Sequence, residues 1–310
     1  MWKRGRFRPQ DIRMLKKISG LIVPALLIFS QPGMVFASEN IRSGAKSEID
    51  VTNGNDGYIT ARSTSKTTRR LKLRTSYVNS SGANIEYTYD LNAGGAWETY
   101  SLQSGEGKYT IRIFENADGA RYTIIQTINV DIKYNREHAP FLVSVQNINF
   151  HPGSMVVKKA EELCKDAATD LQKVESIYKY IVETLWYDTE KAGKIAAGEL
   201  TGYLPDVDDT LKTSQGICFD YSSMFAAMLR SRNIPAKMIM GYVAASPKPV
   251  YHAWNEVYTV EAGWIQIRSE VRFDGKDWGR MDSTFASGNK NGARTKFMRD
   301  DKNYTKEKEY

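Results

Sequence analysis

The chain contains 310 residues, of which 41% are hydrophobic and 25% are charged, a composition typical of a globular protein with a buried core. The formal net charge is +7, but residues 1–17 hold seven Lys or Arg and one Asp, a surplus of six, which leaves +1 for the remainder. The high overall charge therefore gives no reason to expect a nucleic-acid partner.

The first 37 residues have the three parts of an export signal. A basic segment comes first, residues 18–29 form a short apolar run, and Val35-Phe36-Ala37 matches a small-residue cleavage site. Cleavage is expected before Ser38, which predicts a secreted or cell-surface protein with no stable membrane span. Retention of the segment as an uncleaved anchor is the alternative.

Residues 38–150 are predicted to form an antiparallel, immunoglobulin-like β-sandwich. Short runs rich in β-branched and aromatic residues alternate with turns rich in Gly and Asn, and Asn116-Ala117-Asp118-Gly119 indicates a hairpin. The aromatic residues of these runs are expected in the core, where they make cross-strand pairs. A carbohydrate-binding face is the alternative for four of them: Tyr87, Tyr89, Trp97 and Tyr100.

A second region, predicted at residues 151–290, opens with two helices. Ser154 is a candidate N-cap for the first helix, and Thr169 with Gln172 forms a candidate capping box for the second. Cys164 falls in the apolar stripe of the first helix, so we expect it in the core.

Residues 187–215 are predicted to form a long loop, and loops of that length tend to be functional. Its acidic residues lack the glycine and the terminal glutamate of an EF-hand, so a capped, solvated loop is expected in place of a calcium site; they are Asp206, Asp208 and Asp209. The C-terminal residues are a separate element. Residues 291–310 are expected to form a charged tail, which frays from Asp300 to Tyr310.

The segment Gly216-Ile217-Cys218-Phe219-Asp220-Tyr221 predicts a loop that turns into a helix, with a cysteine at the turn. Gly216 is expected to supply backbone freedom, and apolar residues at helical spacing follow the cysteine. The N–H groups and dipole of a helix start favour the thiolate that a nucleophile needs, although Asp220 would slightly oppose it. The alternatives are a buried, inert Cys218 and a Cys164–Cys218 disulfide.

Two later segments carry the partners of such a nucleophile. His252 lies in the strand-like Tyr251-His252-Ala253-Trp254-Asn255-Glu256-Val257, and Asp282 lies in Gly279-Arg280-Met281-Asp282-Ser283-Thr284. Cysteine, histidine and aspartate in this order form the pattern of a thiol triad. With the Cys218 segment, these motifs resemble the transglutaminase-like superfamily. The resemblance implies an α+β fold, in which residues 151–290 form a papain-like transglutaminase core of helices packed on an antiparallel sheet.

The resemblance also implies a thiol enzyme that acts on peptide or isopeptide amides of a peptide, protein or cell-wall peptide substrate. Hydrolysis is the expected reaction, and amine-accepting protein cross-linking is the alternative. A non-catalytic cell-surface binding module is the hypothesis from another class. No cofactor and no metal are expected, since a zinc site at Cys218 and His252 would need a further ligand.

Several residues are candidates for binding the substrate or its developing oxyanion. The backbone N–H of Cys218 is the first predicted oxyanion donor. The second donor is expected among the side chains of Gln215, Tyr203 and Trp186. Tyr221 and Trp254 are further candidates for shaping the site, and Trp254 is expected to pack behind His252.

Overall fold

In the described part of the chain, antiparallel sheets occur in both halves, and the α-helices lie in the second half. The computed structural model describes residues 40–244, 249–265 and 301–310, which belong to one compact unit. Helices packed beside an antiparallel sheet make this an α+β protein, as the sequence predicts.

Residues 41–132 form two four-stranded antiparallel sheets. Alternate residues along their strands are buried, because side chains of a strand point to opposite faces. Residues of both sheets meet in one apolar cluster, so the sheets form the predicted sandwich. The first sheet has the order β1 (Ile41–Ser43), β2 (Ser47–Asp50), β3 (Tyr58–Ser63), β6 (Glu98–Ser101), and the second β5 (Asn84–Leu91), β4 (Leu71–Val78), β7 (Gly107–Asp118), β8 (Arg121–Ile132).

The aromatic residues of the sandwich mostly serve its core. Tyr87, Tyr89 and Tyr100 are buried, and the rings of Tyr89 and Tyr100 meet edge to face with centroids 5.3 Å apart. Trp97 is exposed, with the guanidinium of Arg62 4.7 Å above its ring. The core-packing prediction is therefore confirmed for the three tyrosines.

The second half packs five helices beside a four-stranded antiparallel sheet. Its core contains residues of α1, α2 and α5 together with residues of β11 and β12, so α5 is a central, buried helix. The helices are α1 (Met155–Leu163), α2 (Asp170–Thr184), α3 (Thr189–Ala196), α4 (Val207–Thr213) and α5 (Cys218–Ser231). The sheet has the order β13 (Gly263–Ile265), β12 (Val250–Thr259), β11 (Ala236–Val243), β14 (Tyr304–Glu309), and a short parallel pair joins β9 (Trp186–Tyr187) to β10 (Gln215–Gly216).

The N-terminal caps of α1 and α2 follow the sequence to different extents. Thr169 and Gln172 form the predicted capping box of α2. Ser154 occupies the N-cap position of α1, but its side chain makes no capping bond. Instead the carboxylate of Asp208 accepts from the backbone N–H groups of Met155 and Val156, at 3.0 and 2.9 Å. A residue 53 positions away therefore caps α1, which corrects the role predicted for Ser154.

The predicted long loop is broken by α3 and α4, which corrects the expectation of an irregular segment. Asp188 caps α3 by accepting from the N–H of Lys191 at 2.8 Å. Asp206 caps α4 by accepting from the N–H groups of Asp208 and Asp209 at 3.1 and 3.0 Å. The acidic residues thus act as helix caps, in agreement with the capped loop that the sequence predicts.

The predicted frayed end is wrong, because Tyr304–Glu309 forms β14 and pairs with β11. The strand also contacts the sandwich. The side-chain amide of Gln103 donates to the carbonyl of Glu309 at 3.2 Å, and the ring of Tyr310 lies edge-on to that of Tyr87 with centroids 5.5 Å apart. The polar composition of this strand gives no signal of its position, which is fixed by backbone pairing and tyrosine packing.

Candidate active site

Cys218 is the first residue of α5, as the sequence predicts. Ile217 occupies the N-cap position in an extended conformation and makes no side-chain hydrogen bond there. Residues 220–230 of the helix are all buried, whereas Cys218 itself is half-buried. The first N–H groups of a helix have no partner within the helix, so the backbone around Cys218 presents donors and a positive dipole end to its sulfur.

Gly216 has a different role from the predicted one. Its φ is not in the left-handed region. A Cβ at this position would lie 2.6 Å from the Cβ of Asp220, closer than real contacts allow. Glycine is therefore required so that the chain can approach Asp220, and the backbone needs no unusual conformation.

Asp220 lies two residues after Cys218 and is 0% exposed. Its carboxylate accepts from the N–H of Ile217 at 2.8 Å and from the hydroxyl of Tyr203. The ammonium of Lys191 lies 3.2 Å from the same carboxylate and donates to the Tyr203 hydroxyl at 3.0 Å. Asp220 is thus the first-turn acid that the sequence predicts, and it is buried with a cationic partner.

Tyr203 is committed to this network. Burial, and then its hydrogen bond to Asp220, raise the pKa of Tyr203 to about 12, so the phenol keeps its proton at neutral pH and donates it to the carboxylate. The structure therefore corrects the prediction that Tyr203 donates to the oxyanion of a substrate.

The parallel pair of β9 and β10 brings Trp186 and Tyr187 beside the start of α5. Trp186 lies opposite Gln215 in the register, and both side chains are exposed, Trp186 by 59%. Burial, and then the negative charge of Cys218, raise the pKa of Tyr187 to about 12. Trp186 and Gln215 therefore stay candidates for the second oxyanion donor, since both are exposed and lie on the strand pair that leads into α5.

His252 lies near the start of β12, opposite Gly241 of β11, and is 6% exposed. Its ring stacks with that of Trp254, with centroids 6.5 Å apart and planes 21° apart. Trp254 is 1% exposed and lies edge-on to Tyr304 of β14. Trp254 therefore packs behind His252 as expected, which corrects its alternative role in substrate binding.

Asn255 is a buried residue of the site that the sequence analysis overlooks. Its side-chain amide donates to the carbonyl of Ser222 in α5 and to the carbonyl of Lys237 in β11, both at 3.0 Å. Since α5 begins with Cys218 and β12 carries His252, this amide ties the two elements of the predicted pair together. An amide among apolar neighbours in a strand is the signal that could have identified it.

Three further residues from the sequence analysis are Tyr221, Asp282 and Cys164. Tyr221 is 0% exposed and belongs to the core, which corrects its predicted role at the substrate. Asp282 lies outside the described residues, so its place in the triad stays a prediction. Cys164 is buried, and both cysteines are free; burial raises the pKa of the Cys164 thiol.

The described residues contain no group of three or more His, Cys, Asp or Glu side chains arranged to hold a metal ion. No helix within residues 40–244, 249–265 and 301–310 has the length and apolar character needed to cross a membrane.

Comparison with known proteins finds a family match in the second half of the chain. Residues 157–269 match the model of the transglutaminase-like superfamily. The chain is 26% identical over 193 residues to the uncharacterized protein YebA of Bacillus subtilis, an alignment that covers 56% of this chain and 25% of that protein. It is 33% identical over 72 residues to a protein-glutamine gamma-glutamyltransferase of Pseudomonas aeruginosa, covering 20% of this chain and 11% of that protein.

A solved structure of a Cytophaga hutchinsonii protein, provisionally described as a cysteine protease, covers 82% of this chain and 83% of its own. The TM-score is 0.41 and the sequence identity is 13%. The chain spans a quarter or less of the length of the two curated relatives above. The transglutaminase-like match at residues 157–269 includes Cys218 and His252 and ends before Asp282.

Proposed function

We propose that this protein is an exported thiol enzyme that cleaves peptide or isopeptide amides through Cys218, His252 and Asp282. One observation carries the proposal: Cys218 is the first residue of a buried helix, and that helix is tied through Asn255 to the strand that carries His252. A nucleophile at a helix start, with a base on the adjacent strand, has the parts needed to form an acyl-enzyme.

In the proposed reaction the Cys218 thiolate attacks the amide carbonyl and forms a tetrahedral intermediate. The backbone N–H of Cys218 stabilises the oxyanion. Protonated His252 then gives its proton to the departing amine, leaving a thioester and a neutral imidazole. Water, deprotonated by His252, attacks the thioester, which releases the acid and restores the Cys218 thiolate and the protonated His252. Asp282 accepts the second ring N–H of His252 and fixes its tautomer.

The imidazole has a defined route to the sulfur in this proposal. Side chains alternate along β12, so Asn255 faces α5 while His252 and Trp254 share the other face. The two reacting groups would therefore meet past the N-terminal end of β12. Tyr251, the neighbour of His252, supports this arrangement. Burial is the main cause of its raised pKa, followed by Glu307, Tyr242 and Cys218, and the contribution of Cys218 supports a sulfur near that end of the strand.

Hydrolysis is the reaction we favour. Cys218 is half-buried rather than enclosed, which leaves a thioester on its sulfur accessible to water. Transfer of the acyl group to an amine is the alternative. The Pseudomonas aeruginosa relative is named as such a transferase, a protein-glutamine gamma-glutamyltransferase. The substrate would be a peptide, a protein or a cell-wall peptide outside the cytoplasm, reached by export through residues 1–37.

The test is the pH dependence of iodoacetamide alkylation, followed by peptide mass mapping, with Cys164 as the internal reference. We expect fast alkylation of Cys218 well below pH 8, lost in His252→Ala, while Cys164 stays inert. An ordinary alkylation profile at Cys218 would exclude the acyl-enzyme and leave the binding-module hypothesis.

Two further measurements separate the remaining alternatives. Peptide amides with and without a biotin-labelled alkylamine would distinguish hydrolysis from amine transfer, since only transfer attaches the label. N-terminal sequencing of the exported protein should give Ser38 if the signal is cleaved.

A further inference from the structure

Asp220, in the same first turn of α5 as Cys218, forms an ion pair with Lys191 that the reaction above does not use. Asp220 is 0% exposed, whereas the side chain of Lys191 is 21% exposed. Their charged atoms are 3.2 Å apart, and Tyr203 donates to the same carboxylate. The ammonium also lies 5.0 Å from the centroid of the Tyr203 ring. Lys191 reaches this place from α3, 29 residues away in the sequence.

The position of Asp220 creates an electrostatic problem for a thiolate at Cys218. Charging the sulfur beside an unpaired, buried carboxylate would place two negative charges in the first turn of one helix, and like charges disfavour each other's ionisation. Lys191 supplies the opposite charge. Burial alone would lower the pKa of Lys191, but the hydrogen bond with Tyr203 and the attraction of Asp220 raise it above its usual value. The ammonium therefore stays charged at neutral pH.

We propose that Lys191 compensates the buried charge of Asp220 and thereby keeps the Cys218 thiolate populated at neutral pH. This inference rests on the proposed function, since it assigns a positioning residue to the same site. Lys191 acts through Asp220 and need not touch the substrate. Gly216 belongs to the same arrangement, because a Cβ at that position would lie 2.6 Å from the Cβ of Asp220.

Other titratable groups around the sulfur would not replace Lys191. The phenols of Tyr187 and Tyr251 interact with the Cys218 charge, and their pKa values are raised chiefly by burial, so they stay neutral at pH 7. The carboxylate of Asp188 is engaged in capping α3. Among the described residues, Tyr187, Tyr203 and Tyr251 interact with Cys218 or Asp220, while Asp188 acts on Tyr187 and Glu307 of β14 acts on Tyr251. His252 is the proposed proton donor and stays unchanged in every variant below.

A set of charge substitutions tests the inference through the alkylation rate of Cys218 between pH 5 and pH 10. Lys191→Met leaves Asp220 unpaired. A unit charge about 7 Å away, a typical separation for side chains of one helix turn, changes an ionisation equilibrium by about tenfold to fiftyfold. We therefore expect alkylation at pH 7 to slow by about tenfold or more, with the midpoint of the profile moving upward. Lys191→Arg keeps the charge and should stay within about threefold of wild type.

The decisive variant is the double substitution Lys191→Met with Asp220→Asn. It removes both charges, so alkylation should return to within about threefold of wild type. A merely structural role predicts the opposite, because two defects in one network would leave the double variant at least as slow as Lys191→Met. Circular dichroism and urea unfolding of each variant identify any that fail to fold.

Two results would overturn the inference: a Lys191→Met profile that superimposes on wild type, or a double variant as slow as Lys191→Met. If Lys191→Met does not fold, the single variant Asp220→Asn tests the inference. It leaves the positive charge of Lys191 without a partner, so Cys218 should be alkylated faster at low pH than in wild type, and an unchanged rate would overturn the inference. An ordinary wild-type profile at Cys218 would refute the proposed function, while the differences among these variants would still decide the role of Lys191.

Discussion

Replacing Asn255 with alanine should loosen the contact between α5 and β12, the elements that carry Cys218 and His252. The substitution removes two buried hydrogen bonds, to the carbonyls of Ser222 and Lys237, each contributing about 1 kcal/mol. It also leaves a small cavity, which adds a further cost of about 1 kcal/mol.

One term acts in the opposite direction. The Oδ1 atom of Asn255 is buried and has no hydrogen-bond partner among the described residues, so its removal relieves a desolvation cost of about 1 kcal/mol. The free energy of unfolding should therefore fall by about 2 kcal/mol in total. Urea unfolding followed by tryptophan fluorescence measures this loss.

Ser223→Ala is the matched control. Ser223 lies in the same turn of α5 and donates one buried hydrogen bond to the carbonyl of Asn147 at 2.7 Å, but it does not join the helix to β12. We expect a loss of about 1 kcal/mol with the alkylation rate of Cys218 unchanged. In Asn255→Ala that rate should fall by about tenfold, since small displacements of paired reacting groups have large effects. Equal alkylation rates in the two variants would refute the positioning role of Asn255.

Three further predictions concern other parts of the fold. The Cβ of Gly241→Ala would clash with the carbonyl oxygen of Thr305, so β14 should detach from β11. The amides of β14 should then exchange hydrogen faster than in wild type, and unchanged protection would contradict the close contact at Gly241. Burial lowers the pKa of His138, so the unfolded state binds a proton at a higher pH than the folded state does, and stability should fall as the pH drops below about 6.5. Between pH 7.5 and 5, the urea midpoint of His138→Phe should therefore change less than that of wild type. If both proteins show the same change, His138 is not the cause. Burial also raises the pKa of Cys164, so its alkylation should be slow in the native protein and fast in urea, whereas fast native labelling would mean that the thiol is accessible.

The sequence predicts most of the local structure because the relevant signals act within a few residues. Apolar residues at helical spacing after Cys218 define α5, and Thr169 with Gln172 defines the start of α2. The turn at Gly119 sets the hairpin of β7 and β8. Each of these features depends on backbone periodicity or on a cap three residues away.

Tertiary contacts determine two features that the local sequence pattern does not predict, the last strand and the cap of α1. The polar composition of residues 304–309 predicts a frayed end, yet these residues pair with β11. The edge of a sheet offers backbone hydrogen-bond partners to almost any sequence. Asp208 replaces Ser154 as the cap of α1 because the fold brings its carboxylate to the free N–H groups of that helix.

The sequence alone identified the proposed nucleophile, the strand of the proposed base and the helix that presents the cysteine. It did not determine the surroundings that govern their chemistry. Lys191 meets Asp220 across 29 residues, and Asn255 meets Ser222 across 33. Such pairs have no local signature, since their distances follow from the packing of whole elements. Burial then gives them their importance, because a charge or an amide removed from water must find its partner inside the protein.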